Sequence, residues 1–68
     1  MITYRPFWEL MTKKDISTYK LITEYKLSRS LIDKLKHDKG LTTSTIDRLC
    51  EVFECEVSNI MEYTDTNE

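Results

Sequence analysis

The sequence has one glycine, one proline, two cysteines and no long hydrophobic run in its 68 residues. So few turn-forming residues argue against an all-β fold and favour helices joined by short polar corners. The length predicts one small domain over residues 1–68, with an ordered core at about 5–62 and a polar tail at 64–68. Nothing resembles a membrane span or a secretory signal, so we predict a cytoplasmic protein without membrane contact.

The two cysteines do not form a metal-binding pattern. A structural zinc site needs about four ligands, and Cys50, Cys55 and the one histidine, His37, fall short of that number. We expect free thiols, with one of them in the core, as suits a reducing compartment. His37 has no nucleophile at a convincing spacing, and a glycine-rich phosphate loop is absent. The sequence therefore predicts no catalytic residues, no metal, no cofactor and no small-molecule ligand.

Apolar periodicity and capping residues divide the chain into helices. Ser17, Ser28 and Thr42 are good N-caps, and Gly40 is free to take a positive φ after the third helix. The termini, MITY and MEYT, have β-leaning composition and could pair as a two-stranded ribbon, within or between chains. Trp8 lies off the first apolar stripe, either at the edge of the core or in a subunit interface. The predicted helices span about 6–14, 18–25, 29–37 and 43–54, with a short closing helix around Val57, Ile60 and Met61.

Charge is unevenly distributed along a chain whose formal net charge is only −2. Residues 13–39 carry eight Lys or Arg against four Asp or Glu, a net charge of +4. Residues 40–68 carry one arginine against seven acidic residues, a net charge of −6. An ordinary solvated helix surface would explain this, but the basic segment coincides with two closely spaced short helices.

The third predicted helix has two distinct faces. Leu31, Ile32 and Leu35 share one side at about 100° per residue. A polar face beginning at a helix N-terminus suits DNA, since arginine can bond guanine in bidentate fashion and serine can bond base edges or phosphate. Asp33 could accept a bond from cytosine N4 or, as we slightly prefer, pair with Arg29 four residues back. The candidate base-reading residues are Arg29, Ser30, Asp33 and Lys34.

A second group of residues is placed to contact phosphates. Backbone N–H groups at helix N-termini attract anions, and lysines beside the reading face supply sequence-independent attraction. The candidates are Ser17, Thr18, Ser28, Lys36, Lys39, Thr42 and Thr43.

The apolar positions Leu21, Tyr25, Leu27, Ile32 and Leu35 resemble those of the helix-turn-helix unit in the Xre/Cro family of phage-repressor-like regulators. The stretches PFWELMTKKDIS and LTTSTIDRLCEVFECEVSNIMEY extend the likeness to roughly residues 5 to 62, closest to small stand-alone members. The resemblance implies an all-α, five-helix, lambda-repressor-like domain whose third helix enters the major groove. It also implies that Ser28 and the four base-reading candidates contact DNA, with Thr18 and Lys39 on phosphates.

Two positions depart from the family pattern. Ile22 replaces a small residue and is expected to push the second and third helices apart or to change their angle. Lys26 replaces a turn glycine, and a left-handed lysine costs on the order of 1 kcal/mol.

The function predicted from this resemblance is sequence-specific binding of double-stranded DNA by a transcriptional regulator. One helix reads few base pairs, so we expect a homodimer on a near-palindromic operator. Its interface could involve MITY, Trp8, or the region around Met61 and Tyr63. The alternative is a protein-interaction module, such as an antitoxin or an antagonist of another regulator.

Overall fold

The computed structural model describes residues 1–65, a range that contains four α-helices, one 3-10 turn and one two-stranded antiparallel ribbon. None of these helices is long and apolar enough to cross a membrane. In chain order the elements are β1 (Ile2–Thr3), α1 (Arg5–Lys13), α2 (Thr18–Thr23), α3 (Arg29–Lys36), α4 (Thr43–Phe53), the 3-10 turn (Val57–Asn59) and β2 (Glu62–Tyr63). The four longer predicted helices are present; α2, α3 and α4 begin at the predicted residues, α1 begins one residue early, and all four end one or two residues early.

The predicted fifth helix is instead the single 3-10 turn Val57–Asn59, so the fold is mostly helical rather than five-helical. The Asn59 side chain accepts a hydrogen bond from the backbone N–H of Glu56 at 3.1 Å. Ile60 then enters the core with none of its surface exposed. The chain must extend at once to form β2, which leaves no room for a further helical turn.

The ribbon predicted from the β-leaning termini forms within one chain. Ile2 lies opposite Tyr63, and Thr3 lies opposite Glu62. Beyond the strands, the N-terminal ammonium of Met1 donates to the carbonyl of Thr64 at 2.6 Å. Thr64, which we assigned to the polar tail, is therefore hydrogen-bonded, whereas positions 66–68 of that tail lie outside the described residues.

The three predicted N-caps are confirmed. The side chains of Ser17, Ser28 and Thr42 accept hydrogen bonds from the backbone N–H groups three residues later, at 3.2, 3.1 and 3.2 Å. Each bond satisfies one donor at a helix start and fixes where that helix begins.

Helix ends use left-handed residues that are not glycine. The prediction of a positive φ at Gly40 is wrong, because Asp38 already reverses the chain two residues earlier. A bond from residue i+5 back to residue i closes all four of these ends, as in Lys39 N–H to the Lys34 carbonyl at 2.9 Å. Lys26 is left-handed as expected. The four residues and their φ angles are Asp15 (57°), Lys26 (60°), Asp38 (53°) and Glu54 (51°).

One core joins the helices and the ribbon. Phe7 meets Phe53 edge to face at 5.8 Å between ring centroids, and Tyr25 packs on Phe53 at 4.9 Å. Both cysteines are free, as expected, and both are half-buried and pack against this core. The buried set is Tyr4, Phe7, Met11, Leu21, Leu27, Ile32, Leu35, Leu49, Phe53 and Ile60.

Candidate nucleic-acid interface

The two faces of α3 differ in exposure as the sequence predicts. Ile32 and Leu35 are buried in the core, and Leu31 is half-buried. The base-reading candidates Arg29, Ser30, Asp33 and Lys34 are all exposed. Burial of the apolar stripe therefore fixes the rotation of α3 and turns its polar face outward.

A polar hollow of about 510 Å³ separates α3 from α4. Ser30 and Lys34 of α3 line it on one side, and Arg48 of α4 and Thr42, the N-cap of α4, line it on the other. Arg48 did not appear among the sequence-based candidates. The sequence did contain a signal for Arg48, because it is the one Lys or Arg residue in the otherwise acidic stretch 40–68.

A smaller hollow, of about 250 Å³, lies between α2 and α3. It brings Thr18 of α2 together with Arg29, Asp33 and Lys36 of α3. Ile22 is half-buried and lines the same hollow, so it lies between the helices where the sequence placed it.

The phosphate candidates do not all fall on one surface. Ser28 and Thr42 line the α3–α4 hollow, and Thr18 lines the α2–α3 hollow. Thr43 lines a different, apolar groove on α4, with Ile46 and Cys50. The structure thus separates the side chain of Thr43 from the other candidates.

The expected pairing of Asp33 with Arg29 is replaced by a contact between Asp33 and His37. Asp33 lies 3.1 Å from His37 Nδ1, one turn further along the helix, and the same nitrogen is 2.9 Å from the Asp33 carbonyl. Within residues 1–65, Arg29 has no ion pair, and no three potential metal ligands cluster. Arg29 is therefore free to contact a ligand.

Three hydrogen bonds from the start of the chain hold the far end of α3. The Tyr4 hydroxyl donates to the Lys39 carbonyl at 2.6 Å, and its backbone N–H donates to Asp38 Oδ1 at 3.0 Å. Trp8 Nε1 donates to the Leu35 carbonyl at 3.1 Å, which places this indole at the edge of the core. Burial and then the Asp38 carboxylate raise the pKa of Tyr4. Sequence reasoning missed this role of Tyr4, because the MITY stretch was interpreted only as a strand of the ribbon or as part of a subunit interface.

Two short helices with a tight left-handed turn, and an exposed polar face on the second, define a helix-turn-helix domain. The family model for the Cro/C1-type HTH DNA-binding domain matches residues 7–66. The chain therefore belongs to the Cro/C1-type HTH family, which confirms the resemblance seen in the sequence. Comparison with curated proteins and with solved structures gave no match.

Proposed function

We propose that this protein is a cytoplasmic transcriptional regulator that binds specific sequences of double-stranded DNA by inserting α3 into the major groove. The observation that supports this best is the free, exposed guanidinium of Arg29 at the first position of α3, beside exposed Ser30. Helices of this motif commonly contact base edges with their N-terminal residues.

Each exposed residue of α3 has a role in the proposal. Arg29 bonds O6 and N7 of a guanine, and Ser30 bonds a neighbouring base edge or a phosphate. Lys34, one turn further, contacts a second base. Asp33 accepts from cytosine N4 while its other partner remains His37.

The backbone phosphates are contacted from both sides of α3. On the α2 side the contacts come from Ser17, Thr18 and Lys36. The hydroxyls of Ser17, Ser28 and Thr42 already accept backbone bonds as caps, and those of Ser17 and Ser28 can still donate their protons to a phosphate oxygen. The Thr42 hydroxyl can do so when the Thr45 hydroxyl, 3.0 Å away, is the donor between them. On the α4 side the contacts are Ser28, Lys39, Thr42, Arg48 and the backbone N–H of Thr43.

We propose a homodimer on a near-palindromic operator, with the two α3 helices about 34 Å apart. Exposed apolar side chains occur at two places that could join the protomers. One is the ribbon, with Ile2 and Tyr63, the latter 74% exposed. The other is the apolar groove of α4, where Val57 is 52% exposed. Sedimentation on a single-operator duplex should show two protomers, and one protomer per site would refute the dimer.

Selection of bound duplexes from a random pool tests the main proposal. We expect enrichment of a short motif with two-fold symmetry. Its affinity should fall steeply with salt, because Lys and Arg contacts release counterions. A pool that shows no enrichment would argue against sequence-specific reading.

The apolar groove and the acidic C-terminal half favour one second candidate, a protein-interaction module. Asp47 and Glu56 border the groove beside Ile46 and Met61, a surface that would suit a basic amphipathic partner. A low-salt gel shift with random duplexes separates the two functions. A DNA-binding domain retards them weakly, whereas a domain that acts only on a partner protein leaves them unshifted.

A further inference from the structure

The end of α4 brings the two cysteines of the chain together. Glu54 is left-handed, with φ 51° and ψ 54°, and it turns the chain back over the last helical turn. The backbone N–H of Cys55 then donates to the carbonyl of Cys50 at 3.0 Å. A contact between the side chains of the first and last residues frequently accompanies this loop geometry.

The end of α1 has the same loop, with apolar residues at the two positions that the cysteines occupy in the loop of α4. There the N–H of Ile16 donates to the carbonyl of Met11 at 2.8 Å, so the paired positions hold two apolar side chains. At the end of α4 both positions hold thiols. The loop of α4 thus carries reactive groups where the loop of α1 carries only packing groups.

The backbone bond limits how far apart the two cysteines can lie. With standard bond lengths, the 3.0 Å N···O distance keeps their Cα atoms within about 7 Å. Disulfides span Cα separations of about 4.4–6.8 Å, so little backbone movement is needed. Burial first, and then the neighbouring Cys50 thiol, raise the pKa of the Cys55 thiol.

Both thiols remain reachable from solvent. Cys50 and Cys55 are half-buried, and both line the apolar groove of α4. Asp47 and Glu56 border that groove, so a neutral reagent should approach more readily than an anionic one.

We propose that Cys50 and Cys55 form a reversible dithiol–disulfide site, oxidised within one chain by small-molecule disulfides. The Cys50 thiolate attacks one sulfur of the reagent, forms a mixed disulfide and releases one small thiol. Cys55 then loses its proton, attacks the Cys50 sulfur and releases the second small thiol. The protein loses two hydrogens, and the reagent is reduced to two thiols.

The test uses the full chain and bis(2-hydroxyethyl) disulfide, a neutral reagent. Mass spectrometry after alkylation should show both thiols disappearing together, with a mass decrease of two hydrogens and no adduct. The closing step should have the same rate constant when the protein is diluted tenfold, because it is intramolecular. Dithiothreitol should restore both alkylatable thiols.

Matched variants keep the proposal falsifiable. Cys50→Ser and Cys55→Ser should each stop at a stable mixed disulfide. The double variant Cys55→Ser/Glu56→Cys retains two thiols but moves one of them out of the hydrogen-bonded loop. It should therefore accumulate mixed disulfides with the reagent. Circular dichroism of each variant confirms the fold.

Three results would overturn the proposal. The first is a wild-type chain that carries two stable mixed disulfides with the reagent. The second is a covalent dimer as the main product of the wild-type chain. The third is a wild-type chain whose two thiols remain unreacted while the single-cysteine variants do react.

Discussion

The two ends of α3 are held in different ways. Among the described residues, the bonds from outside the helix to its N-terminus come from Ser28, and Arg29 and Ser30 project into solvent. At its C-terminus Tyr4 and Trp8 bond the chain around residues 35–39. The C-terminal end of α3 therefore sets the position of the helix, and the N-terminal end is left free to contact a ligand. Changes at the fastened end should therefore alter stability, and changes at the free end should alter binding.

The largest effect is expected where the fastened end enters the core. Leu35 is 1% exposed, so Leu35→Ala removes buried contacts and leaves a cavity. Such substitutions cost about 2–5 kcal/mol, which is most of the stability of a domain this small. Urea unfolding followed by circular dichroism measures it. The exposed neighbour Lys36→Ala is the control and should change little, and an unchanged midpoint in Leu35→Ala would contradict the packing described.

The next effect is on binding, at the free end. Arg29→Ala should weaken binding to the selected operator by about 1–3 kcal/mol and relax preference at one base position. Its free energy of unfolding should stay within about 0.5 kcal/mol of the parent, since Arg29 is exposed. Lys39→Ala is the matched control and should weaken all duplexes alike while lowering the salt slope by about 1. Unchanged selectivity in Arg29→Ala would remove this arginine from the reading face.

A smaller loss of stability is expected when one hydrogen bond at the C-terminal end of α3 is removed and the packing is kept. Tyr4→Phe keeps the buried ring but leaves the Lys39 carbonyl without its donor, so we expect a loss of about 1–3 kcal/mol in the free energy of unfolding.

The same variant tests how the stability of the protein depends on pH. Because burial raises the pKa of Tyr4 in the folded state, its contribution is complete below about pH 10 and is lost as the pH rises through the folded pKa. The parent should therefore lose more stability above pH 10 than Tyr4→Phe, and parallel losses would contradict this.

The smallest effects concern the turns. Lys26 has a φ of 60°, so Lys26→Gly should relieve strain and stabilise the protein by up to about 1 kcal/mol. Gly40 has no positive φ and no atom within 4 Å of an added Cβ, so Gly40→Ala should also stabilise by about 0.4–1 kcal/mol. Thermal unfolding measures both. Destabilisation in either variant would show that the turn residue has a contact beyond its backbone conformation.

Local signals predicted most of the fold. Helix starts follow from hydroxyl caps and apolar spacing, which act within a few residues, and the ribbon follows from β-leaning termini. The prediction of a closing helix was wrong because β2 pairs with residues some sixty positions earlier, and this pairing limits the segment before β2 to a single 3-10 turn. No local sequence pattern encodes such a distant pairing.

The DNA-reading face of α3 was predictable because it lies opposite the apolar stripe that enters the core. The contacts that hold α3 and its side chains in place were harder to predict. Arg29 and His37 both lie four residues from Asp33, and only the fold decides between them. The Tyr4 bond to Lys39 joins residues 35 apart, and the sequence carries no period for such a contact.

The ribbon also bears on the order of folding. α1 to α4 follow one another along the chain, and their turns close locally, which favours rapid formation. β1 cannot find its partner until Glu62 and Tyr63 have left the ribosome, and Ile60 fills the core only then. Synthesis thus keeps the first strand waiting for the last, and the ribbon is the last element of this domain to form.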